Sequence, residues 1–133
     1  MKLDHVGIAV DSIDKALPFY REQLGLMLVH REEVPEQKVT VAFLAGSKDG
    51  QESLIELLEP TGEESAVASF LRNRGPGLHH VAFHTDGIEH AMEKFKAAGK
   101  PPLEERPRDG SRGHKVCFIH PKHAGGVLVE LVG

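Results

Sequence analysis

The sequence is poor in the residues that close small folds covalently or line aromatic clefts. Its 133 residues include one cysteine, Cys117, no tryptophan, one tyrosine and six phenylalanines. A lone thiol excludes an internal disulfide framework and any cysteine-rich zinc site. No apolar run approaches the roughly 18–20 residues that a membrane span requires. The opening Met1-Lys2-Leu3-Asp4-His5 lacks a signal-peptide core. Basic charge is short as well: 16 Lys and Arg stand against 20 Asp and Glu, a formal charge of −4. That balance argues against nucleic acid or an anionic membrane as the main partner. Together these absences predict a soluble, cytoplasmic protein. Hydrophobic residues at 40% suffice for the core of one domain of this length. The surplus is histidine, nine in all, which directs attention to metal ligands.

The chain repeats itself. His5-Val6-Gly7-Ile8-Ala9-Val10-Asp11-Ser12-Ile13-Asp14-Lys15-Ala16 lies over His80-Val81-Ala82-Phe83-His84-Thr85-Asp86-Gly87-Ile88-Glu89-His90-Ala91 at an offset of 75, with His, Val, Asp, Ile and Ala coinciding. Leu54-Ile55-Glu56-Leu57 lies over Leu128-Val129-Glu130-Leu131 at an offset of 74. Two matches at almost one spacing predict two modules, 1–74 and 75–133, in a single domain.

Each module reads as β-α-β-β-β, an α+β fold. Residues 3–10 are apolar and β-branched, as a strand requires. Ile13, Ala16, Leu17, Tyr20 and Leu24 then follow helical spacing up to Gly25, with Pro18 an awkward interior residue that must delay or bend the helix. Ile88, Ala91, Met92 and Phe95 repeat the stripe up to Gly99. Strands are expected near 26–31, 38–45 and 52–58, and again near 101–105, 115–119 and 126–132. Asp49-Gly50 and Asp109-Gly110 are turn signals. Val67, Phe70 and Leu71 predict a short helix before the Gly75-Pro76-Gly77 linker.

The repeat also pairs chemistry. His5 and Glu56 stand on the first and last strands of one module, and His80 and Glu130 on those of the other. Side chains alternate along a strand, so each donor can face one side while its apolar neighbours pack on the other. A carboxylate among apolar neighbours is costly to bury unless positive charge meets it. A divalent cation would meet both carboxylates, with two neutral imidazoles as further donors. A lone strand histidine is more often a core or surface residue, but recurrence of both residue types in register outweighs that reading. The register selects His80 over the adjacent His79. Without thiolates the donors suit Co²⁺, which is favoured, or Mn²⁺, Ni²⁺ or Zn²⁺. Four protein ligands leave open positions on an octahedral ion, as catalysis requires.

These stretches resemble the vicinal oxygen chelate superfamily and, within it, the methylmalonyl-CoA epimerase family. The resemblance runs through His5-Val6-Gly7-Ile8-Ala9-Val10, Pro35-Glu36-Gln37, Ile55-Glu56-Leu57-Leu58-Glu59-Pro60, Gly77-Leu78-His79-His80-Val81-Ala82, His120-Pro121-Lys122 and Gly125-Gly126-Val127-Leu128-Val129-Glu130-Leu131. It implies a glyoxalase-like fold, two modules forming a curved mixed sheet around a metal. It also implies a metal held at the positions matching His5, Glu56, His80 and Glu130, where some relatives carry Gln in place of Glu56. The implied reaction interconverts (2R)- and (2S)-methylmalonyl-CoA by proton transfer at C2, through an enolate that the metal stabilises. Glu36 matches one general acid/base, and Glu130 is the proposed second, one for each face of C2. Glu32 and Glu33 lie just upstream, so a merely solvated acidic run competes with the catalytic reading of Glu36.

The resemblance implies a CoA thioester as the small-molecule partner, and a homodimer. Coenzyme A carries phosphates, which makes the basic segment Arg106–Lys115 a candidate contact, against the alternative of a solvated loop. A glyoxalase-type lactoylglutathione lyase shares the ligand types and is the alternative enzyme. A metal-free small-molecule-binding protein would need an aromatic-lined cleft, for which rings are scarce. Ring-cleaving iron chemistry uses two His and one carboxylate, one ligand fewer than here.

Overall fold

Element boundaries follow local chemistry closely. The structure, a computed structural model, describes every residue from Met1 to Gly133. It separates into two compact units, His5–His79, and Met1–Asp4 together with His80–Gly133. No helix is long and apolar enough to cross a membrane.

The first unit holds β1 (Lys2–Ala9, from His5 onward), α1 (Ile13–Pro18), β2 (Met27–Val34), β3 (Val39–Ala45), β4 (Leu54–Pro60) and α2 (Ala66–Arg74). Its strands lie in the order β2-β3-β4-β1. β1 runs parallel to β4, and the other neighbours are antiparallel. Ser12 starts α1 by accepting from Lys15 N at 3.2 Å, and Glu59 Oε1 takes Ile13 N at 2.9 Å. Both satisfy amides that a helix start leaves without partners. Pro18 does not delay the helix, which starts at Ile13, but it changes the hydrogen bonding. A proline has no N–H to give to the residue four before it, and the chain continues through Phe19–Gln23 as a wider π-turn. Leu24 N there reaches Phe19 O at 3.1 Å.

The second unit holds β5 (Gly77–His84, from His80 onward), α3 (Ile88–Ala97), β6 (Arg108–Asp109), β7 (Lys115–Ile119) and β8 (Val129–Val132). The order is β5-β8-β7-β6, with β5 parallel to β8. Here the strand expected over 101–105 is absent. Pro101 and Pro102 cannot donate to a ladder. Instead Leu103 N donates to Phe118 O at 2.8 Å, while Glu104 Oε2 accepts from Phe118 N at 2.8 Å. A carboxylate thus replaces the next rung, and regular pairing is confined to Arg108 and Asp109. The final strand is shorter than expected because Gly125 and Gly126 turn with positive φ after the short helical turn Pro121–His123. Gly110 is required by space: a Cβ there would lie 2.6 Å from Val116 Cγ1.

Each half-sheet has two apolar faces. In the first unit, α1 covers Ala42, Leu44 and Leu57 with Ile13 and Leu17. The opposite face carries Ala9, Val41, Phe43, Leu54 and Leu58, against Val67, Phe70 and Leu71 of α2. In the second unit, α3 packs Ile88, Ala91 and Met92 on Cys117 and Leu131. The opposite face carries Ala82, Val116, Phe118 and Val132.

Candidate metal centre

Five polar or charged side chains are buried: His5 (1% exposed), Glu56 (4%), Ser65, His80 (3%) and Glu130 (6%). Ser65 is accounted for by α2, whose Val67 N donates to its Oγ at 3.2 Å. The other four are the donors singled out by the repeat. Burying an ionised carboxylate costs several kcal/mol unless charge and hydrogen bonds compensate it, so two such residues point to a shared electrostatic purpose.

The first unit builds its pair from two parallel neighbours. Gly7 is in register with Glu56, so His5, two residues earlier, projects from the same face. Its Nε2 lies 3.3 Å from Glu56 Oε1. The second unit repeats the construction, with Ala82 in register with Glu130 and His80 Nε2 4.0 Å from Glu130 Oε1. In both units the pair stands on the face turned away from α1 or α3.

Beneath each pair lies a phenylalanine that the sequence reading missed. Phe43 is in register with Glu56 on the antiparallel side, and its ring meets His5 edge-on at 5.4 Å. Phe118 is in register with Glu130 and meets His80 edge-on at 6.1 Å. The two phenylalanines are themselves 75 positions apart, so extending the repeat into the middle strands would have found them. An edge-on ring limits rotation of the imidazole.

Glu36 is placed differently. It is exposed, in the single helical turn Pro35–Gln37 that ends on Lys38 at φ +54°. Val39 pairs with Pro60 while Phe43 pairs with Glu56, which puts the start of β3 about 13 Å along the strand from Glu56. Glu36 therefore stands just past the end of the ladder, in the turn that leads into β3. His79, next to His80, is half-buried and packs on Phe70 at 4.9 Å. His30 bonds Glu32 at 2.9 Å, and His120 Nδ1 accepts from Lys122 N at 2.9 Å.

One further group bears on the second pair. The buried thiol of Cys117 is pushed up from its ordinary 9.0 to about 12, first by burial and then by the negative Glu104 and Glu130. It is consequently a neutral core side chain, packed with Leu131 under α3 on the face opposite the His80–Glu130 pair. The donor chemistry that remains, imidazole and carboxylate with no thiolate, fits a divalent cation of the Co²⁺, Mn²⁺, Ni²⁺ or Zn²⁺ kind.

Comparison with known proteins supports this chemistry. A family model described as the Glyoxalase/Bleomycin resistance protein/Dioxygenase superfamily matches residues 4–118. The human mitochondrial methylmalonyl-CoA epimerase is 39% identical over 133 residues, covering 98% of this chain and 72% of its own. An ethylmalonyl-CoA/methylmalonyl-CoA epimerase from Cereibacter sphaeroides is 38% identical over 132 residues, covering 98% and 96%. Among solved structures, a variant of the Streptomyces coelicolor methylmalonyl-CoA epimerase in complex with 2-nitronate-propionyl-CoA superposes with a TM-score of 0.92. It is 40% identical and covers 99% of this chain and 96% of that one.

Proposed function

We propose, on the premise that the chain belongs to the Glyoxalase/Bleomycin resistance protein/Dioxygenase superfamily and shares its glyoxalase-like fold, that it is a metal-dependent methylmalonyl-CoA epimerase. The observation that carries the reading is the buried His–Glu pair, built twice on equivalent strands. Its setting is a chain alike over nearly its full length to epimerases of that substrate.

His5, Glu56, His80 and Glu130 would hold one divalent ion, with Co²⁺ favoured, in a single domain of modules 1–74 and 75–133. Such an ion supplies positive charge where the thioester oxygen becomes negative as C2 is deprotonated. The chain supplies the rest. Phe43 and Phe118 keep the imidazoles oriented, and the apolar residues around the pairs exclude water, which strengthens every charge interaction nearby. Glu36 takes the C2 proton on one face. Its exposed turn suits that role, because a carboxylate free of buried ligands can carry a proton between substrate and solvent. Glu130 serves the other face, so that loss and return of the proton occur on opposite sides and the stereocentre inverts. A homodimer in the cytoplasm completes the reading. Sedimentation at several concentrations tests the dimer, and cell fractionation tests the compartment.

Solvent deuterium exchange at C2 of methylmalonyl-CoA, with metal loaded, tests the activity. Exchange is expected with methylmalonyl-CoA, and no turnover with a glutathione hemithioacetal; the opposite pattern replaces the epimerase with a lactoylglutathione lyase. Glu36→Gln is expected to lower the rate about 10²- to 10⁴-fold while metal content by elemental analysis stays unchanged. It should slow exchange from one epimer more than from the other.

A further inference from the structure

The second unit carries a cation that the paired ligands do not explain. Arg108, on the short edge strand β6, places its guanidinium carbon 5.6 Å over the Phe118 ring, the ring whose edge meets His80 at 6.1 Å. The guanidinium therefore lies no more than about 12 Å from the His80 imidazole, the sum of the two separations. It lies over the face that presents His80 and Glu130, since Phe118 belongs to that face. Its stem is also anchored: Arg108 Nε is 3.5 Å from Glu104 Oε1, and the other oxygen of Glu104 is held by Phe118 N at 2.8 Å.

This arrangement engages Nε and the flat face of the guanidinium, and Glu104 is its ion-pair partner. Arg112 differs, being committed to Asp4. A guanidinium held in place by stacking and by Nε is suited to bind an oxyanion through its Nη1–Nη2 fork at low entropic cost.

We propose that Arg108 is the substrate-recognition residue for the free carboxylate of the malonyl group. The proposal rests on the epimerase reading and assigns to one side chain the discrimination between malonyl and plain acyl thioesters. The alternative oxyanions are the phosphates of coenzyme A. They sit at the far end of the pantetheine arm, whereas the guanidinium lies within about 12 Å of the His80 imidazole on the face that carries it, which favours the carboxylate.

Calorimetric titration separates the two sources. Methylmalonyl-pantetheine has the carboxylate and no diphosphate; propionyl-CoA has the phosphates and no carboxylate. With metal-loaded protein, Arg108→Gln is expected to weaken methylmalonyl-pantetheine about 10- to 100-fold, the range for a charge-assisted hydrogen-bonded contact, and to leave propionyl-CoA unchanged. Arg108→Lys, which keeps the charge and loses the fork, should fall between. A loss confined to propionyl-CoA, or an equal loss for both ligands, overturns the carboxylate assignment. If the unaltered protein binds both compounds and Arg108→Gln binds methylmalonyl-pantetheine equally well, the role of Arg108 is refuted and the epimerase reading stands. If the unaltered protein binds neither, the epimerase reading fails and this proposal with it.

Discussion

The two units share a donor pair but differ in what surrounds it. In the first, α2 lies across the donor face with Val67, Phe70 and Leu71, and Phe43 is fully buried. In the second, no helix covers that face; Phe118 keeps 9% exposure and is topped by Arg108. The His–Glu separations follow the same trend, 3.3 Å against 4.0 Å. The helices on the far side diverge too, α1 passing into a π-turn at Pro18 while α3 runs regularly from Ile88 to Ala97. Across the repeat the chemistry has been held constant and the packing has not. One half covers its donor face with a helix, and the other sets an arginine over its ring.

Seven substitutions, in four sets, would break or sharpen this contrast. The largest effects belong to the phenylalanines. Phe43→Ala should cost about 3–5 kcal/mol of stability, as for a fully enclosed ring, and Phe118→Ala less, since its ring is partly exposed and only Arg108 lies over it. Urea unfolding measures both, and equal losses would show that the two faces are equally closed. Next come the imidazoles. His5→Ala and His80→Ala should each cost about 3 kcal/mol by stranding a buried carboxylate. The loss should be greater at His5, where the pair is tighter, and elemental analysis should find metal reduced in both variants. Gly110→Ala should cost about 1–3 kcal/mol through overpacking against Val116, whereas an alanine at Gly125, which has open space but φ +68°, should cost about 1 kcal/mol. The smallest effect concerns Cys117. With its thiol raised to about 12, iodoacetamide should leave it unmodified at pH 8 until the protein unfolds. Because the folded value lies above the unfolded one, its contribution is intact below about pH 9 and is lost as pH rises toward 12. Cys117→Ser should flatten that alkaline decline.

Much of the fold was legible because it is local or repeated. The strand expected over 3–10, the helix from Ile13, the short helix at Val67, Phe70 and Leu71 and the strand over 115–119 follow from propensity and alternation within short windows. The expected strand over 101–105 failed for a long-range reason. Whether residues 101–105 pair depends on what β7 offers opposite them, and there Glu104 satisfies Phe118 N with its side chain. Arg112 shows the same limit. Its backbone sits at φ +55°, rare for a residue with a Cβ, and its side chain reaches Asp4, more than a hundred positions away.

The sequence by itself determined the repeat that sets His5 over His80 and Glu56 over Glu130, because a duplicated strand carries its side-chain alternation into both copies. Tertiary structure alone decided that the four are buried and that a phenylalanine supports each imidazole. It also decided that Glu36 sits on an exposed turn and that Arg108 overlies the Phe118 ring. Those outcomes depend on register between strands distant in the chain. A shift of one residue in that register would turn the strand-borne side chains among these to the opposite face.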